Sequence, residues 1–516
     1  MSNQTSSIHK DALDLFKGLF FNVLGMALKS GKVVFIFIAA HYYNPTALGL
    51  YFLAWGTVDI SSKLGLWGSD KNLIREIARL KSVKENADPQ QIMDIIFYNV
   101  RLSLVLSVLV TGIIFLTSPI ISEKIFQDSA LIAPMRILAL AIPFIVLTLV
   151  LISTTKALRL MQYETFIRQG LEPAMLLISA LILIPFHLGA TGLAIAHLIA
   201  SLGAAIASLV VVFKKFYFPG WRPLPLPAKV KSQTWRYTTP IAATDFVNLA
   251  VARIDTMLVG ALLNSTMAGY YGIAIEIISV IKRVRQSFEP IFAPIVSELF
   301  HSGESKRLQR NYQLVTRWLM AGSFLPVIAI FLFPQQILTF FNIQSPQAAS
   351  ALRILALAHG LFGAFSAAES LLLMSGKSLL NFILGSLMMI ISLLMGLFLI
   401  PKLGLLGAAL ATLSSFFFVS MGRVYHGYRS LRILPFGSIL LWPIVSGSVT
   451  FFLFYLIKNW VNTTSFYDTG MMFLGLLIVY AGLYFGGANE SEEKFLRERI
   501  MNNIRRRFFL VFNRSV

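Results

Sequence analysis

The sequence contains no cysteine. That excludes disulfides, thiol nucleophiles and cysteine metal centres, and it leaves the redox compartment open. Charge is also scarce: Asp, Glu, Lys and Arg make up 13% of the residues against 56% hydrophobic ones, so most of the chain has nothing with which to face water. The apolar–polar alternation of a transmembrane barrel is missing, because runs such as 102–116 and 176–184 are apolar on every face. The first fifteen residues are polar and hold Asp11 and Asp14, so no secretory signal is expected and the first helix serves as its own insertion signal.

What is present are long apolar runs recurring from Leu15 to Phe485. They predict an all-α polytopic membrane protein of about fourteen transmembrane helices. The expected spans are 15–43, 47–69, 92–118, 131–155, 164–186, 190–213, 233–263, 267–299, 308–333, 348–374, 378–400, 404–424, 436–458 and 467–487. The net charge of +20 comes largely from Lys and Arg in loops at alternate helix ends. The positive-inside rule produces that pattern in any multispanning protein, so no nucleic-acid partner is expected. Lys71, Arg75, Arg79, Lys214, Lys215, Lys306, Arg307 and Arg310 fall on one side, Lys124, Lys402 and Lys458 on the other. With an even number of spans, both termini are expected in the cytoplasm.

The connection before residue 233 carries Pro219, Pro223, Pro225 and Pro227, which stiffen it into an extended basic linker. It divides the chain into an N-terminal six-helix bundle (1–216), a cytoplasmic Pro-rich linker (217–232) and a C-terminal six-helix bundle (233–428). Two further transmembrane helices (429–488) and a basic amphipathic cytoplasmic tail (489–516) follow. The tail sets arginines among phenylalanines and suits an anionic lipid surface, either as an anchor or to recruit a glycosyltransferase or polymerase partner.

The halves echo one another. Asn44-Pro-Thr-Ala-Leu-Gly-Leu-Tyr51 returns as Asn264-Ser-Thr-Met-Ala-Gly-Tyr-Tyr271 after a shift of 220 residues. Met135-Arg-Ile-Leu-Ala-Leu-Ala141 returns as Leu352-Arg-Ile-Leu-Ala-Leu-Ala358, and Leu188-Gly-Ala-Thr-Gly192 as Leu403-Gly-Leu-Leu-Gly407, after shifts of 217 and 215. A repeat of six helices keeps its orientation, which gives parallel repeats related by an axis along the membrane normal and places a substrate site between them.

These motifs, with Gly65-Leu66-Trp67-Gly68 before Arg75-Glu76-Ile77-Ala78-Arg79, resemble the polysaccharide-transporter branch of the multidrug/oligosaccharidyl-lipid/polysaccharide exporter superfamily, the O-antigen-type flippases. The resemblance covers the first twelve spans. It implies two bundles forming a V. Alternating access would carry a polyprenyl-diphosphate-linked oligosaccharide from the inner to the outer leaflet of a bacterial cytoplasmic membrane, for O-antigen, lipopolysaccharide or other surface polysaccharide assembly. It also suggests a monomer.

Ionised groups inside spans bear most directly on mechanism, since each costs about 2.5–3.5 kcal/mol at a bilayer centre unless it faces a partner or a hydrated cavity. The expected anion-binding surface is Lys29, Lys32, Lys63, Arg253, Lys282 and Arg283, which would meet a diphosphate through charge-assisted hydrogen bonds. Lys29 and Lys32 share one helix face, and either line a cavity or pair with a carboxylate such as Asp59. Asp59 and Lys63 are spaced to pair with each other, and Lys63 corresponds to Arg283 under the shift of 220. Asp59, Asp245, Asp255 and Glu276 are candidates for ion coupling or for pairing with cations, with Glu172 and Glu369 as further carboxylates in apolar runs. Arg285 and Glu289 are spaced as a helical ion pair. Pro240, Pro290 and Pro294 can kink their helices.

His41, His187, His197 and His359 lack metal-ligand spacing, so no metal is expected. Ser375-Gly-Lys-Ser378 fails as a P-loop because Leu371 stands where the first glycine belongs, and no cofactor is expected. Competing readings are a cation-coupled multidrug exporter or a lipid II flippase of the same superfamily. A membrane glycan ligase or polymerase would need a catalytic outer loop, and the largest, around 118–130, holds only Glu123, Lys124 and Asp128. The chain is therefore read as a transporter with no catalytic residues.

Overall fold

The computed structural model describes residues 31–83, 89–158, 160, 162–216, 224, 227–460 and 466–486. All regular structure among them is helical. The first half comprises α1 (Gly31–Tyr42), α2 (Pro45–Leu66), α3 (Ser69–Val83), α4 (Pro89–Ile120), α5 (Ile132–Ala139), α6 (Ile142–Ala157), α7 (Glu172–Leu183) and α8 (Gly189–Phe216). The second comprises α9 (Ala228–Leu262), α10 (Ser265–His301), α11 (Ser305–Leu332), α12 (Pro334–Phe340), α13 (Pro346–Ala364), α14 (Ala367–Met374), α15 (Ser378–Leu403) and α16 (Leu405–Leu431). After these come α17 (Leu441–Trp460) and α18 (Phe466–Gly486), packed on each other and on α11. The 489–516 tail lies outside the described residues.

Ten helical segments among the described residues are long and apolar enough to cross a membrane. They include α4, α8, α11, α15, α16, α17 and α18, with α5–α6 and α13–α14 each counting as one broken segment. Three more helices, α2, α9 and α10, have spanning lengths of 22, 35 and 37 residues but fall outside that set. They carry many of the intramembrane charges singled out above. The described part of the first expected span is the short apolar helix Val33–Tyr42.

Two boundaries differ from expectation for clear physical reasons. The stretch after Gly68, read as a loop, folds as the fifteen-residue helix α3. Leu73, Ile77 and Leu80 recur at helical spacing, and Leu73 and Ile77 are fully buried while Lys71, Arg75 and Arg79 face outward. Helix α9 begins at Ala228, ahead of residue 233, because Pro227 caps its start, where a proline obstructs no helical hydrogen bond. Helices α9 and α10 run on through Pro240, Pro290 and Pro294.

The repeated motif starts two helices in the same way. Asn44 accepts a hydrogen bond from the Ala47 N–H at 2.8 Å, and Asn264 accepts one from the Met267 N–H at 2.9 Å. Each side chain satisfies a donor at a helix start that would otherwise lack a partner. The two helices, α2 and α10, then cross. Thr46 Oγ1 lies 2.8 Å from Thr266 Oγ1, its equivalent 220 residues later. A Cβ at Gly49 would stand 1.7 Å from the Ser265 carbonyl oxygen, and one at Gly269 would stand 2.1 Å from that of Pro45. Each contact maps onto the other under the same shift, the self-complementary geometry of a two-fold axis. Only glycine fits on either side.

Within the first half α2 packs on α4, α6 and α8, and α8 on α7. Within the second, α13 packs on α10, α11 and α16, and α15 on α9 and α16. Between the halves the main contacts run from α2 to α9 and α10, with smaller ones from α3 to α9 and from α1 to α10. The helices richest in charge therefore line the seam.

Candidate functional site

Along the seam, charges on one half are held by charges on the other. Arg253 on α9 donates from Nε and Nη2 to Asp59 Oδ2 on α2, at 3.1 and 2.7 Å. Nearer the α2–α3 corner, Lys71 Nζ donates to Asp245 Oδ1 at 2.6 Å. The Arg75 guanidinium lies 4.1 Å from the centre of the Tyr237 ring, and Trp67 packs on Trp235 with ring centres 5.8 Å apart. Trp67 and Gly68 reach this face through a left-handed turn, with φ of 46° and 70°. A Cβ on Gly68 would press on Ile241 and the Thr238 carbonyl at 3.1 Å. The seam is thus bound by glycine-backbone packing at the Asn44/Asn264 end and by ion pairs and aromatic faces further along.

Asp59, spaced to meet Lys63 or the first-span lysines, goes instead to Arg253. Lys63 is half-buried and has no side-chain partner among the described residues. Lys63 and Arg283 each lie fourteen residues beyond the Gly49–Gly269 crossing. At 1.5 Å per residue both stand about 21 Å further along their helices. Lys29 lies outside the described residues, as does the side chain of Lys32. Arg283 and Glu276 do not line the cavity described next, although Lys282 does.

That cavity, of about 440 Å³, lies within the second half among α9, α10, α13, α14, α15 and α16. At one place Asp255 accepts hydrogen bonds from Ser392 Oγ at 2.9 Å and Thr412 Oγ1 at 2.8 Å, and the Tyr271 hydroxyl stands 3.2 Å from Thr412. The equivalent tyrosine in the first half, Tyr51, instead meets His197 Nδ1 at 2.8 Å, with the Trp55 ring tilted against the imidazole, centres 4.0 Å apart. Elsewhere in the cavity Glu369 Oε2 receives two guanidiniums, Arg423 at 2.9 Å and Arg285 at 3.2 Å, while Arg285 also lies 3.8 Å from Glu289.

Sequence reasoning passed over Arg423, whose side chain is only 5% exposed. The signal was a lone arginine inside the last apolar span of the second half, with Glu369 as an equally isolated carboxylate two spans earlier. Arg285 and Arg423 both lie over Phe362, 5.1 and 5.7 Å from the ring centre, and Phe416 packs against Phe362 at 4.4 Å. Lys282, Arg285 and Arg423 thus share the cavity lining with Asp255, Glu289 and Glu369 and with the rings of Phe362 and Phe416. Among the described residues no three His, Asp or Glu side chains are grouped as metal ligands.

Comparison with solved structures finds this fold in transporters. The structure of "Lipid II flippase MurJ, inward closed conformation" matches with a TM-score of 0.68 at 14% identity, covering 91% of this chain and 98% of that one. An inward-facing multidrug resistance MATE family transporter of the MOP superfamily matches with a TM-score of 0.65 at 15% identity, covering 82% and 98%. A MOP superfamily transporter from Pyrococcus furiosus, described as having a binding pocket of reversed polarity, matches with a TM-score of 0.55 at 16% identity, covering 82% and 96%. No curated protein sequence matches the chain. A family model described as "Polysaccharide biosynthesis protein" matches residues 44–339, more than half of the sequence. The chain, whose described residues hold ten helical segments long and apolar enough to cross a membrane, has the fold of these transporters and belongs to the polysaccharide biosynthesis protein family.

Proposed function

We propose that this protein is a transporter, and specifically a flippase. It carries an anionic polyprenyl-diphosphate-linked oligosaccharide from the inner to the outer leaflet of a bacterial cytoplasmic membrane, by alternating access between bundles 1–216 and 233–428. In this reading α1, α2, α9 and α10 complete the spans to fourteen, both termini are cytoplasmic, and the Asn44/Asn264 turns face outward. The observation that carries the reading is the seam. Its charges are tied across the halves in pairs, Asp59 to Arg253 and Asp245 to Lys71, which water can separate and rejoin as the halves rock.

Depth supports the direction of transport. If the turns face outward, Lys63 and Arg283 stand about 21 Å inward of the crossing, at the level of the inner leaflet in a core about 30 Å thick. A diphosphate entering from that leaflet would meet Lys63 and Arg283, with Lys29 and Lys32 on the first helix as further contacts, and Arg253 becomes available when its pair with Asp59 opens. Of the carboxylates considered for ion coupling, Asp59 and Asp245 are engaged by cations across the seam. Asp255, held by two hydroxyls, is the one we assign to coupling. A cation-coupled multidrug exporter is the second reading, and the carboxylates of the second-half cavity are what favour it.

The test is the lipid-linked glycan pool in cells lacking this chain, sorted by leaflet accessibility. The flippase reading expects a polyprenyl-diphosphate oligosaccharide to accumulate facing the cytoplasm. No accumulation, together with new sensitivity to cationic drugs, would replace it with the exporter reading.

A further inference from the structure

We infer that the second-half cavity is a saccharide seat, separate from the cations that meet the diphosphate; this deepens the flippase reading and rests on it. The wall is charge-balanced and mixed. Glu289 and Glu369 can accept, Arg285 and Arg423 can donate, and the faces of Phe362 and Phe416 are apolar. A diphosphate placed there would lie against carboxylates, and a cationic drug would lie against guanidiniums. A neutral polyhydroxylated ring suffers neither repulsion. Each of its hydroxyls both donates and accepts, so it can bridge a carboxylate and a guanidinium, while its C–H face covers an aromatic ring.

Two features of the wall suit a ligand. Arg285, with 25% of its side chain exposed, brings a guanidinium to Glu369 and Glu289 at the cavity wall, and its five N–H donors exceed what those two contacts use. Glu369 draws both guanidiniums to the single oxygen Oε2, so neither of these contacts uses Oε1. The cavity volume of about 440 Å³ lies in the range of small-ligand sites, roughly 300–1,000 Å³. It suits a short saccharide and excludes a polyprenyl chain alongside it.

Gly385 offers a way to fill the cavity without touching its ion pairs. It lines the wall on the same face of α15 as Met388, and a Cβ there meets nothing within 4 Å. The experiment measures binding to the purified full chain in lipid nanodiscs. The probe is the free oligosaccharide released by mild acid from the cell's own lipid-linked glycan, run beside inorganic pyrophosphate and tetraphenylphosphonium. Wild type is expected to bind the oligosaccharide, with neither pyrophosphate nor tetraphenylphosphonium displacing it. Gly385→Leu and Phe362→Ala should each weaken binding about tenfold or more, the equivalent of about 1.4 kcal/mol. Because Gly385→Leu leaves every ion pair in place, it carries the test if Phe362→Ala does not fold. Unchanged oligosaccharide binding in Gly385→Leu, or displacement by either ion, overturns the seat. So does absence of oligosaccharide binding when the leaflet assay shows transport. Failure of the flippase reading is distinct, because the cells then accumulate no lipid-linked glycan.

Discussion

Gly49→Ala should force apart the two helices that hold the turn end of the seam. The added Cβ would stand 1.7 Å from the Ser265 carbonyl oxygen and 2.9 Å from the Gly269 nitrogen, both backbone atoms of α10. Restoring a carbon–oxygen contact of about 3.3 Å means a separation of about 1.6 Å beyond the present 1.7 Å. No rotamer change can relieve that. Overpacking of this kind costs about 1–3 kcal/mol, and here it falls on the closed arrangement alone, since helices already apart do not feel it. The assay uses the absence of native cysteine. Thr46→Cys with Thr266→Cys replaces two hydroxyls 2.8 Å apart, so the thiols should join readily under mild oxidant. Adding Gly49→Ala should slow the cross-link about tenfold or more, as should Gly269→Ala, because a bias of about 1.4 kcal/mol is tenfold in population. Equal cross-linking with and without the alanine would refute the reasoning, since the crossing would then not depend on glycine.

Other substitutions test the remaining parts of the seam and cavity. Asp59→Asn leaves Arg253 partly buried without its carboxylate and should destabilise the protein by about 3 kcal/mol; thermal unfolding in nanodiscs should show the loss and recover part of it in the swapped pair Asp59→Arg with Arg253→Asp. Asn44→Ala and Asn264→Ala should each cost about 1 kcal/mol, and the two losses should match because the asparagines cap equivalent helices. Asp255→Asn should uncouple export from its driving cation gradient while the protein still inserts, read as glycan display with and without an ionophore. Display that retains full ionophore sensitivity in that variant would remove Asp255 from coupling.

Helix positions were largely legible because a span is a local property: apolar runs long enough to cross, ended by Gly, Pro or Asn, stand out in the sequence. The shift of 220 was legible too, and its consequence is visible where Thr46 meets Thr266 and Gly49 meets the backbone of α10. The local pair Arg285–Glu289 was legible from its spacing, but partners across the seam were not, since Asp59 and Arg253 are 194 residues apart and helical spacing offered Asp59 a nearer lysine. Fixing that pair requires knowing that α2 and α9 share the seam. Arg423 escaped attention for a similar reason. Its carboxylate, Glu369, lies 54 residues away on another helix, so each looked solitary. Helix α3 could have been found by marking Leu73, Ile77 and Leu80, but the basic residues between them drew the stretch toward a loop.

The most direct test of the central claim is transbilayer movement in proteoliposomes holding only this chain and a polyprenyl-diphosphate-linked oligosaccharide in both leaflets. A lectin outside reports the sugar that arrives there. The account predicts that the wild-type chain speeds this movement, and that the Thr46→Cys/Thr266→Cys pair stops it when oxidised and restores it when reduced. Movement at the protein-free rate, or movement unaffected by the oxidised cross-link, would contradict it.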